Sequence, residues 1–355
     1  MAVDWSRGDL THGLTVLQVD PTDLATVRDE LHGVTGGKLE LSYYGDTRMS
    51  AQLECVGVHD WDGTSALRLV HEVSDWTGPL LRETLFTGYV TDAPWGGSGD
   101  GLTTTFSLAS TLIAWDGEGR GAVAATGLTV PSGAKALAAI RSIATDTARP
   151  IRVRGDATDY MFTGACVYEA GKSWLSIAMD LANKAGDRVT VDADGFVAIE
   201  RYVEPSGRVP DWDVDPEDPR GLLAGEPSGG TDALSHPARV IVRSDSGDES
   251  VTGIASVPDG DPASRGVRGY APDRFEMVSD LTPFTVAAAT EKARQLLQSS
   301  SVEERTLRHG LLYRPLREGM VERWLDGGAG TRWQVSSAQL DFETWTWELD
   351  LKGGW

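Results

Sequence analysis

The segment that comes closest to a metal-binding loop is VTVDADGFVAI, residues 189–199. A helix–loop–helix calcium site needs oxygen ligands at alternate loop positions and a bidentate Glu at the twelfth. With Asp192 first, the fifth position is Phe196 and the twelfth is Val203, so the loop has too few oxygens. Alternating apolar residues flank the Asp-Gly pair on both sides, and glycine accepts the positive φ of a tight turn. We therefore predict a β-hairpin here and no calcium site.

Other reactive residues also fall short of a catalytic or metal site. None of the 6 histidines stands four residues from another with a Glu between them, as a zinc-protease helix requires. The 2 cysteines, Cys55 and Cys166, are too few for a cysteine-zinc site. Neither a G-x-S-x-G nucleophile turn nor a G-x-x-x-x-G-K-[ST] phosphate loop occurs. We predict that the chain is not an enzyme and holds no metal ion or cofactor.

Two turn segments combine acidic, aromatic and glycine residues. HDWD, residues 59–62, offers an imidazole and two carboxylates, and WGGSGDG, residues 95–101, contains no lysine and lies between strand patterns. A phosphate cradle needs a glycine loop that opens a helix. We interpret both segments as surface turns. The alternative for residues 59–62 is a general base with a metal ligand, and the alternative for residues 95–101 is a phosphate-binding site.

Charge and composition restrict the class of protein further. The 355 residues carry a formal net charge of −21, which argues against a protein that binds the phosphate backbone of a nucleic acid. An acidic surface repels the phosphates of DNA, so the charge is compatible with a protein that DNA passes without binding to it. No apolar run approaches the roughly 20 residues of a membrane span, and the N-terminus lacks a secretory signal pattern. We expect synthesis in a cytoplasm, free thiols at both cysteines and no membrane insertion.

The elements that would position these turns are mostly strands. Residues 37–111 contain four short β-rich runs separated by turn signals, which is typical of an antiparallel barrel or sandwich. At the C-terminus, ETWTWELDL (343–351) alternates perfectly, so Trp345, Trp347, Leu349 and Leu351 are predicted to share a buried face. A sugar-stacking platform is the alternative for these tryptophans.

The middle of the chain has helical patterns. Apolar residues recur at helical spacing after Pro131 and again after Ser173, which is a good N-cap, while Gly186 stands where a C-terminal glycine belongs. Residues 203–232 are rich in proline and acidic residues, so we predict a long surface loop or linker. A strand over 237–245 and a helix over about 283–298 follow.

The order of these features resembles the baseplate or tail-tip hub proteins of long-tailed bacterial viruses. The resemblance covers most of the chain and rests on a co-linear series of segments, since no single one is specific. Met320 stands where the family's P-x-x-x-G-D motif has Asp. The segments are SWLSIAMDLANKAGDRVTVDADGFVAIERY (173–202), SHPARVIVRS (235–244), FTVAAATEKARQLLQSS (284–300), PLREGMVERW (315–324) and SSAQLDFETWTWELDL (336–351).

The resemblance implies a mainly β, α+β multidomain fold with two antiparallel β-barrel hub domains and a small α+β lateral domain inserted between them. The domains are expected at 1–125 (first barrel), 126–203 (lateral domain), 204–232 (loop or linker) and 233–355 (second barrel, with the helix at about 283–298). The chain reaches Trp355 just after the second barrel, so we expect no cell-wall hydrolase domain.

The function that the resemblance implies is structural. Three chains form a ring with near six-fold symmetry that joins the hexameric tail tube to the three-fold tip in the virion tail. The expected partners are further copies of the chain, tail tube and distal tail proteins, the tape-measure protein and tip or spike proteins, while DNA passes through unbound. By position alone, we predict assembly contacts at His59, Asp60, Trp61, Asp62, Trp95 and Asp100. The alternative is a carbohydrate- or receptor-binding β-sandwich.

Overall fold

The computed structural model describes most of the chain, in segments. These are residues 3–43, 45, 47–59, 61, 63–98, 101–117, 123–146, 151–153, 157, 159–203, 205–218, 222–231, 237–246, 249–261, 264–269, 273–278, 285–301, 305–326 and 329–353.

One sheet of fourteen strands runs through both ends of the chain, in the order β2-β1-β5-β6-β8-β4-β3-β21-β22-β19-β15. Short strands β7 and β20 pair with β8 and β21, and β14 pairs with β20. The N-terminal strands are β1 (Thr11–Val19), β2 (Val27–Glu30), β3 (Val34–Ser42), β4 (Met49–Val56), β5 (Ala66–Asp75), β6 (Gly78–Asp92), β7 (Trp95–Ser98) and β8 (Gly101–Ser110). The later members are β14 (Trp212–Val214), β15 (Ser228–Thr231), β19 (Arg305–Leu312), β20 (Val321–Asp326), β21 (Ala329–Asp341) and β22 (Thr346–Gly353).

The two β-rich halves meet where β3 pairs antiparallel with β21, with Leu39 opposite Leu340. The described pairings leave this sheet open, with β2 and β15 at its ends. The mainly β fold is thus confirmed, but two closed barrels are not, because the halves share one sheet through the β3–β21 ladder.

The segment predicted to be the lateral domain contains two helices and short strands; we keep the name lateral domain for this segment, and its being a separate domain stays a prediction. Its elements are β9 (Leu128–Val130), α1 (Ala136–Asp146), β10 (Ile151–Val153), β11 (Cys166–Tyr168), α2 (Trp174–Lys184), β12 (Asp187–Val191) and β13 (Val197–Arg201). The Ser173 hydroxyl accepts a hydrogen bond from the Ser176 N–H and caps α2 as predicted. β12 and β13 form the predicted hairpin at 189–199, with Gly195 at φ 84°. Its residues pack into the same core as the main sheet.

A separate three-stranded sheet has the order β17-β16-β18. It consists of β16 (Arg239–Ser246), β17 (Glu249–Ser256) and β18 (Asp273–Met277), with a short helix α3 (Arg265–Arg268) and the long helix α4 (Val286–Ser301). Val240 and Val242 pack on Ala289 and Ala293 of α4 and form their own small core. The predicted strand at 237–245 and the helix are therefore present, and α4 starts slightly later than expected; Pro283, the predicted start, lies outside the described residues.

Two further predictions need correction. The proline-rich segment 204–232 was expected to be a loop, yet it contains β14 and β15, which pair with β20 and β19. The burial of Trp212 and Val214 at alternate positions explains why β14 stays attached. Trp345 is buried as predicted, but it lies in the turn before β22 with φ 54°, so the strand alternation begins one residue later.

A cluster of aromatic and histidine rings lies across the junction of the two halves. The Nδ1 atom of His12 is 2.9 Å from the Nε2 atom of His71, so one ring donates a hydrogen bond to the other. His71 is fully buried and stacks on Trp345, with ring centroids 4.1 Å apart. The Tyr313 hydroxyl donates to Glu83 at 2.5 Å. Burial raises the pKa of Tyr313, and the adjacent Glu83 carboxylate adds to the effect.

The lateral domain is attached at a buried charged group. Glu318 accepts a hydrogen bond from the Thr190 hydroxyl, and its Oε1 atom is 3.8 Å from Nη2 of Arg188. The same guanidinium lies 4.6 Å from the ring centroid of Tyr43. Burial raises the pKa of Glu318, and the positive charge of Arg188 opposes this shift. Gly319 has φ 71°, and a Cβ at this position would lie 2.3 Å from the Tyr43 ring.

We expect acid to weaken the junction of the halves. Burial, followed by the proximity of His71, lowers the pKa of His12 from 6.5 to about 4. The unfolded chain therefore binds a proton between these values that the folded chain does not, so the free energy of unfolding falls as pH drops through this window. Urea unfolding of the wild type and His12→Phe across the window measures the effect.

The variant should show a shallower pH dependence than the wild type, because Phe keeps an aromatic ring in the stack and does not titrate. His32→Gln is the matched control, since the His32 side chain is 80% exposed. Equal pH slopes for the wild type and His12→Phe contradict the assignment.

We expect Gly319→Ala to destabilise the chain by more than about 2 kcal/mol, because backbone strain adds to a collision with the Tyr43 ring. Gly133→Ala is the control, since Gly133 has φ 82° but no heavy atom within 4 Å of the added Cβ. Its cost should be about 1 kcal/mol from strain alone. Denaturant midpoints of both variants give the comparison, and equal losses would show that the Tyr43 contact contributes nothing.

Candidate assembly surface

The structure brings together residues 58, 59 and 61 with residues 90–93 and 95, which are separated in sequence, along one open groove of about 580 Å³. Three of the residues predicted as assembly contacts, His59, Trp61 and Trp95, lie on its walls. The other three, Asp60, Asp62 and Asp100, lie outside the described residues. The remaining wall residues are Val58, Val90, Thr91, Asp92 and Ala93.

A buried hydroxyl fixes the 56–59 wall of the groove. The Thr104 hydroxyl on β8 donates to the carbonyl oxygen of Gly57 at 2.9 Å and accepts from the His59 N–H at 3.0 Å. Thr104 is fully buried, so these two bonds are shielded from water. The His59 ring is held by a 3.0 Å contact between its Nε2 atom and the carbonyl oxygen of Val56. The wall is therefore positioned by strand β8 together with the His59–Val56 contact within the wall itself.

Trp61 and Trp95 differ in how they are held. Trp61 packs edge-on against the buried Phe106 ring, with centroids 5.7 Å apart, so it belongs partly to the core. Trp95 begins β7, pairs with Thr104 across the ladder and remains 61% exposed. Tryptophans that keep a large exposed face on a rigid strand are typical anchors of protein interfaces.

The walls of the groove include the carboxylate of Asp92, and the surrounding sequence lacks positive charge. Val58, on the wall of the groove, is about half exposed. Residues 51–67 and 83–119 contain no lysine or arginine. The turn signals of the sequence predicted assembly contacts at His59, Trp61 and Trp95, which stays a prediction, and they gave no indication that Val58 is exposed on the same wall.

Catalytic or metal chemistry gains no support from the site. The described residues include no group of three or more His, Cys, Asp or Glu side chains arranged to hold a metal ion. Within the described ranges, no helix has the length and apolar character needed to cross a membrane. Cys55 and Cys166 are both free and buried, and burial raises the pKa of Cys55 to about 11, so it remains a thiol at neutral pH.

Comparison with known proteins is informative at the level of structure. No family model matches the sequence, and no curated protein matches it. A tail protein from Neisseria meningitidis MC58 is 15% identical, with a TM-score of 0.71 and 96% of each chain covered. The 43 kDa tail protein of prophage MuSo2 from Shewanella oneidensis is 12% identical, with a TM-score of 0.66, covering 95% of this chain and 97% of that one.

A third similar structure is the prophage tail protein gp18 from Listeria monocytogenes EGD-e. It is 9% identical, has a TM-score of 0.54 and covers 95% of this chain and 94% of its own. Identities this low are informative about the fold alone. Since the matches span nearly the whole of each chain, the likeness includes the β-rich halves, the lateral domain and the small sheet together. The resemblance that the sequence predicted is therefore confirmed at the level of fold: this chain has the fold of phage tail proteins.

Proposed function

We propose that the chain is a structural hub protein of a phage tail, built into the baseplate or tail tip. The observation that carries this proposal is the likeness to tail proteins over almost the full length of both chains, with a TM-score of 0.71 for the Neisseria protein. The exposed Trp95 on the wall of an open groove fits an assembly role.

In the proposed arrangement, three copies form a ring with near six-fold symmetry. Each copy contributes two β-rich, barrel-like halves, so that six halves alternate around the ring and face a hexameric tail tube. Tape-measure protein and DNA pass through the centre, and tip or spike proteins bind the opposite side. The net charge of −21 supports this proposal, because an acidic channel repels the phosphate backbone.

The groove formed by residues 58, 59, 61, 90–93 and 95 is the proposed contact with the tail tube. The exposed Trp95 and the lack of lysine and arginine in the surrounding sequence favour a partner that presents apolar side chains and positive or neutral charge. Carbohydrate binding is the alternative for its tryptophans. Titration with cell-wall sugar fragments tests it, because a saturable change in tryptophan fluorescence would favour a binding module over a hub.

The ring is tested by purifying the full chain alone and with the tail tube protein of the same phage. Mass photometry and negative-stain microscopy should show a ring of three 38.1 kDa chains, capping one end of the tube. A chain that stays monomeric with and without the tube protein, and never caps it, contradicts the proposed function.

We expect Trp95→Ser to weaken tube capping at least about tenfold, because an interface tryptophan usually contributes 2 kcal/mol or more. Val209→Ser is the matched control, since Val209 is 85% exposed and lies away from the groove. Sedimentation of tubes with bound hub measures capping, and thermal unfolding checks that both variants fold. Equal capping by the two variants would place the tube contact elsewhere.

A further inference from the structure

A cavity of about 400 Å³ lies where the two β-rich halves and the lateral domain meet. Its wall includes residues of β3 and β6 from the N-terminal half, of the β12–β13 hairpin, and of the segments that precede β14 and β20. Pro315 and Arg317 on this wall are exposed, so the cavity reaches the surface beside them. A ligand in the cavity would therefore contact both halves and the lateral domain at once.

One carboxylate oxygen of Glu318, on the wall of this cavity, has no donor. The Oε1 atom accepts a hydrogen bond from the Thr190 hydroxyl, whereas Oε2 accepts none from any residue that the structure describes. The Glu318 side chain is only 6% exposed, so bulk water does not supply the missing bond. A buried carboxylate oxygen without a donor is costly, more so than a neutral acceptor. The wall therefore lacks a hydrogen-bond donor at Glu318.

The neighbouring Arg188 does not fill this role. Its Nη2 atom donates to Oε2 of Glu200 at 3.1 Å and lies 3.8 Å from Oε1 of Glu318, which is too far for a hydrogen bond. Its Nη1 atom also lacks a partner among the described residues, but the guanidinium lies against the Tyr43 ring, which compensates in part. One guanidinium thus stands between two carboxylates and forms a hydrogen bond with Glu200 alone.

The wall of the cavity carries more carboxylates than guanidinium groups. The carboxylates are those of Glu83, Asp192, Glu200, Asp211 and Glu318, and the guanidinium groups are those of Arg188, Arg208 and Arg317. Arg208 is already bound, to the carbonyl oxygen of Gly319 at 2.6 Å and to Asp211 at 3.5 Å. Arg48, whose charge also acts on Glu318, does not make up the difference. The surplus of negative charge favours a cationic ligand.

Another part of the wall is apolar. Leu39 and Leu41 from β3, Met49 from β4 and Trp347 from β22 line the cavity, and all four are buried in the core. An aliphatic chain that lies against them is removed from water, while a charged group at its end can reach the carboxylates. The side chains of lysine and arginine have this form, with a methylene stem and a cationic end. The cavity therefore matches a ligand that is apolar along its length and positive at its tip.

We propose that the cavity binds an alkyl chain that ends in an ammonium or guanidinium group, which donates a hydrogen bond to Oε2 of Glu318. The source of this group is either a lysine or arginine side chain of a neighbouring protein or a free small cation such as a polyamine. Because the cavity wall belongs to both halves and the lateral domain, the bound ligand holds the three together. This inference goes beyond the proposed function and does not depend on it.

Titration of the full chain with n-butylguanidinium tests the site. The probe carries both the stem and the cation, and n-butylurea is its neutral control of almost the same shape. The indole N–H resonance of Trp347, on the cavity wall, reports binding by NMR and is assigned with Trp347→Phe. We expect a saturable shift of this resonance with n-butylguanidinium. Binding of n-butylurea should be at least about tenfold weaker, because a hydrogen bond between two charged groups is the stronger one.

Two variants test the wall in different ways. Glu318→Gln should weaken binding of n-butylguanidinium at least about tenfold, while its amide oxygen still accepts from the Thr190 hydroxyl. Ala193→Met fills the cavity, leaves every charge in place and should abolish binding. Glu54→Gln is the matched control, since Glu54 is exposed on β4 and does not line the cavity. Thermal unfolding checks that each variant folds.

Equal binding of n-butylurea, or undiminished binding of n-butylguanidinium by Ala193→Met or by folded Glu318→Gln, overturns the inference. Native mass spectrometry of the freshly purified chain separates the two sources of the cation. A small bound cation that Ala193→Met lacks identifies a free cation as the ligand. A chain without one that still binds the probe assigns the cavity to a side chain of a neighbouring protein. Ring formation and tube capping judge the hub role separately.

Discussion

The pairing of β3 with β21 is the constraint on which the rest of this structure depends. It joins strands that lie at opposite ends of the sequence and converts two β-rich halves into one continuous sheet. The ring cluster of His12, His71, Tyr313 and Trp345 lies across the same junction. Hydrogen bonds fix the register of the halves, and the stacked rings exclude water from their contact.

The lateral domain is held at the same place. Glu318 and Arg188 connect β12 to the segment before β20, and the pair lies beside a cavity of about 400 Å³ that is also lined by Tyr313 and Trp347. Buried ion pairs contribute little net stability, but they discriminate against wrong arrangements because an unpaired buried charge is costly. The polar centre therefore fixes the orientation of the domain, while the shared apolar core provides most of the stability.

Local sequence patterns predicted local structure well and long-range structure poorly. The Asp-Gly turn at 189–199, the Ser173 cap and the alternating strands were readable because each depends on neighbouring residues. The β14 strand was missed since its pairing with β20 is set by residues far along the chain. The burial of Trp345 was predicted correctly, but its conformation was not, because an alternating sequence pattern does not reveal which residue has a positive φ. At the groove, the glycine-rich turn segment led to the prediction that Trp95 is a contact residue. The exposure of Val58 could not be predicted, because it depends on how the strands pack. The exposed Trp76 gave no signal in the sequence that distinguished it from a core tryptophan.

The β3–β21 ladder also has a consequence for the order of folding during synthesis. Residues 34–42 leave the ribosome long before residues 337–341, their hydrogen-bonding partners, exist. Until then, β3 is an open edge with unpaired N–H and C=O groups, beside the apolar side chains of Leu39 and Leu41. Contacts of such large sequence separation form slowly, because closing a long loop costs entropy before any contact is gained. The nascent N-terminal half thus spends most of translation with an open sheet edge, the feature of partly folded chains that favours aggregation.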